Sequence, residues 1–512
     1  MSSVEHGTGA PGSAGRGAGE GADPDGGPDG ARVAARRDRG VRAAVEQGLL
    51  GPAGAIGGDL GEDGGGPGRD AGGGPPVCAL LDVAGIRASA AALRAAFAEV
   101  TAPGTPVLHT FAVKATPLVP VLRLLDAAGI GAEVASPGEL ALARAAGVRA
   151  DRIVLDSPAK TLAELREALA LGIAVNADNP QELDRIDALM DTHAGGGRGA
   201  GLGAGAGGAP GAGAGSTLGL RINPQTGGGS IDATATATAT SKFGVALRDE
   251  GARAWVVRAF LDRPWLTRLH THSGSQGIPT ALMTRGVREL YDLAEEINAA
   301  AGRRQVDTLD IGGGLPVNFA SDEETPTYAE YARLLKETVP GLLDGRYGLV
   351  TEFGRSLLAR HGTVLTRVEY AKSAGSRPIA VTHAGVQLAT RTVYAPASWP
   401  LRVAAYDPAG RPKGGPAVAQ DIAGPACFAG DLLAGNRPLP LLEQGDLVAA
   451  LDTGAYCFTA HYAYNSLARP GVYGFTEAPG GGVRFATVRA PQTLAEIVAE
   501  SGGAAPDALL DG

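Results

Sequence analysis

Short apolar runs with β character recur through the middle of the chain, each followed by a stretch with helical spacing. The runs are Leu108–Val113, Ala132–Ala135, Ile153–Leu155, Ala174–Asn176, Leu218–Ile222, Leu269–His272, Thr308–Ile311 and Leu349–Glu352. Between them, Leu122-Leu125-Ala128 and Leu140-Ala143-Ala146 place apolar residues three apart, the spacing of one helix face. Eight strands alternating with helices predict a closed (β/α)8 TIM-type barrel rather than an open sheet. After about Ser356 the rhythm changes. Val364–Tyr370, Pro378–Val381, Gln387–Tyr394, Leu401–Ala404, Ala417–Gly424 and Leu447–Asp452 read as strands separated by Gly and Pro turns. They predict a mostly β second domain, to which Val77–Asp82 adds a strand. The expected divisions are a tail over 1–76, a segment over 77–104 joining the β domain, the barrel over 105–362 and the β domain over 363–512.

Composition refines this picture. Residues 1–76 are dominated by Gly, Ala, Pro and charge. Such a segment buries too little apolar surface to offset its ordering entropy, so a disordered tail is expected, with a short helix around Val33 to Leu50. Two further stretches, the Gly/Ala-rich Ala194–Ser216 and the Thr-Ala repeat Ala233–Thr240, read as flexible surface loops. A net charge of −9 argues against a nucleic-acid partner. No apolar run approaches the roughly 20 residues that a bilayer crossing needs. The N-terminus carries no charged-then-apolar signal pattern. Cys78, Cys427 and Cys457 are too widely spaced for a metal or disulfide framework. The expectation is a soluble cytoplasmic protein with reduced thiols.

The reactive candidates collect at the C-terminal ends of the proposed barrel strands, where such barrels build their sites. Lys114 ends the first run. A desolvated lysine there can form a Schiff base, although a plain strand-end lysine has the same sequence. The sixth run ends in His270-Thr271-His272-Ser273-Gly274-Ser275. A neutral imidazole can stack on a planar cofactor, and Ser275 can donate to a phosphate. His270 can equally be a core histidine. The two histidines could suggest a metal, but the spacing offers no third ligand, so none is expected. Gly312-Gly313-Gly314 follows the seventh run and lets backbone N–H groups approach an anion. The eighth run ends in Glu352-Phe353-Gly354-Arg355. A buried Glu352 needs a partner, which a protonated pyridine nitrogen or simply Arg355 could provide.

Taken in order, these motifs resemble the fold-type III pyridoxal-phosphate decarboxylases, the diaminopimelate/ornithine/arginine decarboxylase group. The match runs from about Val77 to Gly474. It includes Phe111-Ala-Val-Lys114, Ala135-Ser-Pro-Gly-Glu139-Leu, Arg221-Ile-Asn-Pro224, Ser241-Lys-Phe-Gly244, His272-Ser-Gly-Ser275-Gln and Asp310-Ile-Gly-Gly-Gly314. It continues through Glu352-Phe-Gly-Arg355, Cys427-Phe-Ala-Gly-Asp431, Asp452-Thr-Gly-Ala-Tyr456 and Tyr464-Asn465. The resemblance implies an amino-acid carboxy-lyase that uses pyridoxal 5'-phosphate, as in lysine biosynthesis. It implies Lys114 as the covalent anchor, His272 stacked on the ring and Glu352 on the pyridine nitrogen. Glu133 would be the acid near the anchor. Ser275, Gly313, Gly314, Gly354, Arg355 and Tyr456 would lie around the phosphate. Cys427 would come from the other subunit of a homodimer with shared sites and return a proton to the carbanion. Arg355, Arg391, Tyr394, Phe428 and Tyr456 would face the substrate.

Two departures bear on the substrate. Relatives that take diaminopimelate or ornithine carry an acid directly after the cysteine, where this chain has Phe428. The diaminopimelate enzymes resemble one another in an Arg four residues before a Tyr. Here Thr390 stands four before Tyr394, and Arg391 three before. A diaminopimelate-like decarboxylase acting on a somewhat different amino acid is therefore expected. The alternatives are a racemase or epimerase on the same barrel, and a non-catalytic regulatory homologue. Racemases of this fold tend to place Arg at the pyridine nitrogen, which Glu352 argues against. Retention of Lys114 and Cys427 argues against the silent homologue.

Overall fold

The structure, a computed structural model, describes residues 27–51, 74–194, 215–231 and 235–510. Strands are numbered along the chain from β1 (Val77–Asp82). Eight of the apolar runs become parallel strands: β2 (Val107–Ala112), β3 (Gly131–Val134), β4 (Ile153–Leu155), β5 (Ala174–Ala177), β6 (Leu218–Asn223), β8 (Leu266–His270), β9 (Thr308–Asp310) and β10 (Gly348–Phe353). Each pairs with the next, and β10 returns to β2, so the sheet is closed. A two-residue strand, β7 (Val245–Ala246), pairs with β6. The barrel strands β3, β5, β6 and β10 are buried at every position, as a parallel sheet covered on both faces requires. Local signals start the covering helices. Ser136 caps Pro137–Ala145 by accepting from the Glu139 N–H, and Thr161 and Thr327 open Leu162–Leu171 and Tyr328–Thr338 with capping boxes. Because all eight strands run in parallel, their C-terminal ends share one rim.

The second sheet is mixed. β11 (Gly362–Ala374) pairs antiparallel with β1, β12 (Arg377–Thr382) and β16 (Leu447–Ala450). β13 (Val403–Tyr406) joins β16, and β14 (Ala417–Ala423) lies between β12 and β15 (Leu432–Pro440). On the other side β1 runs parallel to β17 (Gly471–Glu477), which pairs with β18 (Val483–Arg489). The period of two in β1 joins two cores. Ala79 and Leu81 enter the main core, while Cys78 and Leu80 enter a smaller one with Tyr406 and Phe475.

Three expectations need correction. The stretch Gln387–Tyr394, rich in Thr and Val, is a helix, Val386–Tyr394, and not a strand. Leu388, Ala389, Thr392 and Val393 bury one side, a spacing of four that fits a helix face. The Asp431 carboxylate, distant in sequence, accepts the Val386 N–H at 2.6 Å and helps to set its start. The short helix expected around Val33 to Leu50 is present but starts earlier and is packed on the fold rather than part of a free tail. Gly27–Glu46 is a helix whose Val41 and Ala44 are buried in the smaller core. Arg36 pairs with Asp82 at 2.8 Å and Arg37 with Asp322 at 3.2 Å. Residues 1–26 and 52–73 of the expected tail, and 195–214 of the first loop, lie outside the described residues. The Thr-Ala repeat is no free surface loop where it is described. Ala237 is buried, Asn223 donates to the Thr238 carbonyl at 2.9 Å, and the Thr236 hydroxyl donates to the His272 carbonyl.

Candidate active site

The rim formed by the C-terminal strand ends carries a concentration of charge. Lys114 sits in a single turn, Val113–Ala115, directly after β2, and its Nζ donates to Glu133 Oε2 at 2.8 Å. Glu133, on β3, is fully buried, whereas the Lys114 side chain is 43% exposed toward the rim. Burial lowers the proton affinity of Lys114, but Glu133, Tyr456 and Glu352 together outweigh it and hold the amine above its ordinary value.

Opposite them, Glu352 near the end of β10 is 1% exposed, and neither of its oxygens has a hydrogen-bond partner among the described residues. Burial pushes its carboxyl well above the usual range, and the nearby Asp310, Glu133 and Asp156 carboxylates add to the rise. His272 Nδ1 lies 3.6 Å from Glu352 Oε2, and the Gly313 N–H points at the same Nδ1 at 3.4 Å. Burial, then the charges of Arg221 and Lys114, push His272 well below the ordinary imidazole value, so the ring is neutral. His270 is fully buried between Asp156 and Asp310, at 3.4 and 3.3 Å, and 3.8 Å from Glu352. Asp156 is in turn held by Arg221 at 2.9 Å, and Asp310 accepts from Asn176 at 3.2 Å and from the Gly312 N–H at 3.1 Å.

The glycines are required by closeness. A Cβ on Gly313 would meet the Glu352 carbonyl at 2.0 Å, and one on Gly314 would meet the Gly274 carbonyl at 2.1 Å. The loop after β9 therefore touches the loop after β8 and the end of β10 through backbone alone, which keeps its N–H groups approachable. Ser275 follows Gly274 in this contact. A Cβ on Gly354 would lie 3.4 Å from the Tyr456 hydroxyl. Tyr456 has a left-handed backbone, φ 60°, and its N–H donates to the Ala115 carbonyl at 2.9 Å, tying the second domain to the lysine turn. Arg355 stands over the Tyr456 ring at 4.6 Å and Trp399 at 4.9 Å, and no carboxylate among the described residues pairs with it. Burial lowers the Arg355 value. Arg391 stacks on the same two rings, at 4.7 and 5.2 Å. Arg355, Arg391, Trp399, Tyr456 and Phe319 line one pocket.

Within one chain the remaining sequence candidates form a second group. Cys427 is exposed in the β14–β15 turn, with its N–H donated to Asn465 at 2.8 Å. Its neighbour Phe428 stacks on Tyr394 with ring centres 5.7 Å apart and planes 11° from parallel. The structure thus brings Lys114, Glu133, His272, Ser275, Gly313, Gly314, Glu352, Gly354, Arg355, Arg391 and Tyr456 to one rim. Tyr394 and Phe428 pack on each other beside Cys427.

Sequence reasoning passed over Asp156, Trp399 and Thr236, and quoted Arg221 in a motif without giving it a role. Asp156 follows β4 directly, so the same strand-end rule would have found it. Trp399 and Thr236 reach the rim from elements with no such signal. The spacing argument against a third metal-ligand-type group also needs correction. His270, His272 and Glu352 place donor atoms within 4.8 Å of one another, because the barrel brings β10 beside the loop after β8.

Comparison with known proteins closes the question of family. Residues 84–359 match the pyridoxal binding domain of the pyridoxal-dependent decarboxylases. The chain is 31% identical over 407 residues to a diaminopimelate decarboxylase of Pseudomonas aeruginosa, covering 79% of this chain and 88% of that protein. It is 32% identical over 398 residues to the diaminopimelate decarboxylase of Pseudomonas fluorescens, covering 77% and 86%. A diaminopimelate decarboxylase from Helicobacter pylori, solved in complex with L-lysine, has the same fold: TM-score 0.68 at 23% identity, covering 84% of this chain and 97% of that one. A lysine/ornithine decarboxylase from Vibrio vulnificus, solved with cadaverine, aligns with a TM-score of 0.60 at 22% identity, covering 78% and 94%. With its closed barrel, its β domain and these relatives, the chain belongs to the pyridoxal-dependent decarboxylase family, and its chemistry is the decarboxylation of an amino acid.

Proposed function

We propose that this chain binds pyridoxal 5'-phosphate through Lys114 and removes a carboxylate from an amino acid related to diaminopimelate, at a site completed by a second copy. The observation that carries the proposal is Glu352, a buried carboxylate whose oxygens accept no hydrogen bond among the described residues, at the rim that holds Lys114. A buried acid in that state needs a positive N–H donor, and a pyridinium nitrogen fits. The rest of the rim fits the same group. The backbone N–H groups around Gly274, Gly313 and Gly314, with Ser275, Arg355 and the Tyr456 hydroxyl, suit a phosphate. The neutral His272 ring suits a planar face.

When bound, the cofactor supplies a sink for the electron pair left at Cα as CO2 departs. Lys114 would hold the cofactor, and Glu133, at 2.8 Å, keeps its Nζ in place. Glu352 would accept the ring N–H and favour a protonated nitrogen there. Cys427 of the second copy, or Lys114, returns a proton to Cα. The exposed position of Cys427 supports a contribution across a homodimer interface, and a cytoplasmic setting would keep that thiol reduced. No helix among the described residues is long and apolar enough to cross a membrane.

Reconstitution tests this proposal. The full chain mixed with pyridoxal phosphate should gain a visible absorption band. Borohydride should fix the cofactor to the peptide containing Lys114, and CO2 should be released from an amino acid in a panel. Cofactor fixed to another lysine, or saturated protein that releases no CO2, overturns the proposal.

A further inference from the structure

The helix Gly27–Glu46 lies ahead of the family match, which begins at residue 84. Residues other than Arg37 dock it on the fold. Val41 and Ala44 are buried, and Asp38 accepts the Tyr406 hydroxyl at 2.7 Å. Arg36 pairs with Asp82 at 2.8 Å and Arg39 with Glu477 at 2.5 Å. Arg37 reaches elsewhere. Its guanidinium pairs with Asp322 at 3.2 Å, in the loop that runs on from Gly312-Gly313-Gly314 after β9. Arg402 takes the same Asp322 carboxylate at 2.8 Å and grips both oxygens of Asp452, at 2.8 and 3.0 Å. Two acids and two guanidiniums thus form one chain, and their side chains are between 2% and 17% exposed. Arg360 also holds this loop, but through the Asp322 and Glu323 carbonyls. Burial raises the Asp322 carboxyl, but Arg402 and Arg37 outweigh it and hold the group below its ordinary value.

Asp452 opens the segment that ends at Tyr456. Both residues have left-handed backbones, φ 59° and 60°, which a non-glycine residue keeps only when its surroundings hold it there. The N–H groups of Thr453, Gly454 and Tyr456 donate to the carbonyls of Gly362, Ala359 and Ala115, at 3.0, 3.0 and 2.9 Å. The Thr116 hydroxyl donates to the Gly454 carbonyl at 2.5 Å. A Cβ on Gly454 would meet the Leu358 carbonyl at 2.0 Å. The segment therefore lies against both the lysine turn and the short helix Arg355–Leu358. Arg402 by itself would be shared by two largely buried acids. An uncompensated carboxylate is costly there, so without Arg37 the Asp322 carboxylate competes with Asp452 for one guanidinium.

From this geometry we infer that Arg37 is a positioning residue for the cofactor site. By neutralising Asp322 it leaves Arg402 to Asp452, and so fixes the Tyr456 segment against the Lys114 turn. The inference rests on the decarboxylase proposal for what binds at that segment.

Two readouts on the full chain test it. One is the Kd of pyridoxal phosphate for the cofactor-free protein, followed by absorbance. The other is hydrogen exchange, without cofactor, of the peptide spanning Thr453 to Tyr456. Arg37→Gln should raise that Kd and speed that exchange by about fivefold to tenfold, the coupling expected within one ion-pair network. Arg36→Gln removes an ion pair of the same helix that lies outside the chain, and should change neither. Adding Asp322→Asn to Arg37→Gln should return both readouts toward wild type, because Arg402 then has one acid to hold. Wild-type values in Arg37→Gln overturn the inference. So do equal losses in Arg36→Gln, or no return in the double variant. If Arg37→Gln does not fold, Arg37→Lys takes its place. It keeps the charge without the fork and should shift both readouts by about twofold to threefold, and wild-type values then overturn the inference. If the wild type takes up no pyridoxal phosphate, the decarboxylase proposal is what fails, and hydrogen exchange alone decides the role of Arg37.

Discussion

At the barrel rim, Glu133, Glu352, Asp310 and His270 are each 1% exposed or less; His270 lies 3.3 Å from Asp310 and 3.8 Å from Glu352, and Glu133 holds Lys114 at 2.8 Å. Around Phe428 in the second domain, four aromatic rings lean on one another, and Tyr394 and Tyr462 leave 57% and 38% of their surface open. The two regions do different physical work. Fixed charges in a dry site act strongly on a developing charge and cost no reorganisation during reaction. Rings at an open edge contribute shape and apolar contact and bind weakly one by one. Chemistry is therefore expected to reside in the rim and choice of substrate in the rings.

The sharpest test of that division is Lys114→Ala. It removes the anchor itself and should lower kcat by at least about 10⁴-fold, as losses of a covalent group do. Single-turnover CO2 release measures it, and a smaller loss would mean that the rim does not own the chemistry. Next is Glu352→Gln, which keeps the shape and removes the charge. A loss of about 10²- to 10³-fold in kcat is expected with the cofactor still bound, read by absorbance alongside turnover. Equal turnover would strip the buried carboxylate of its role.

Cys427→Ala comes third, with about 10²-fold expected for loss of a proton donor. This change also tests whether the two regions meet across subunits. Mixing the Lys114→Ala and Cys427→Ala proteins, each nearly inactive, should restore activity, since one of the two hybrid sites is intact. No restoration after subunit exchange would place both residues in one chain's site.

Stability gives a fourth contrast. His109, under the rim, is 6% exposed and bonded to the Thr351 hydroxyl at 2.8 Å. Burial, then Arg94, pushes its value down to about 4. The unfolded chain binds that proton more readily, so this contribution is complete above about pH 6.5 and is lost as the pH falls toward 4. Its upper size is about 3 kcal/mol. The urea midpoint should fall between pH 7 and 4.5, and His109→Gln should flatten that fall. The smallest effect belongs to the rings. Tyr394→Ala should cost no more than about 1 kcal/mol of stability, because the side chain is mostly exposed. Denaturant melts will show whether this edge is instead part of the core.

The amino-acid sequence by itself determined the barrel and most of its rim. Eight short apolar runs at helix-length spacing leave few ways to bury both faces of each strand, and a parallel barrel then brings all strand ends to one side. Lys114, His272, Gly313 and Glu352 were legible for that reason, because each ends such a run. The tertiary structure alone decided the rest. Val386–Tyr394 reads as a strand from its Thr and Val residues, but it is a helix because one face of it is buried and Asp431, far along the chain, binds its first N–H. The Thr-Ala repeat reads as loose, yet Thr236 reaches the His272 carbonyl and Ala237 is buried. A helix near Val33 to Leu50 was legible, but its docking through Asp82, Asp322 and the Tyr406 core was not. Asp431 is only a motif position in the sequence, and its commitment to two backbone N–H groups is visible only in the fold. Periodicity records what a segment buries on its own account. It carries no record of which distant donor, acid or ring will meet that segment, and those meetings set the state of the helix, the repeat and the acid.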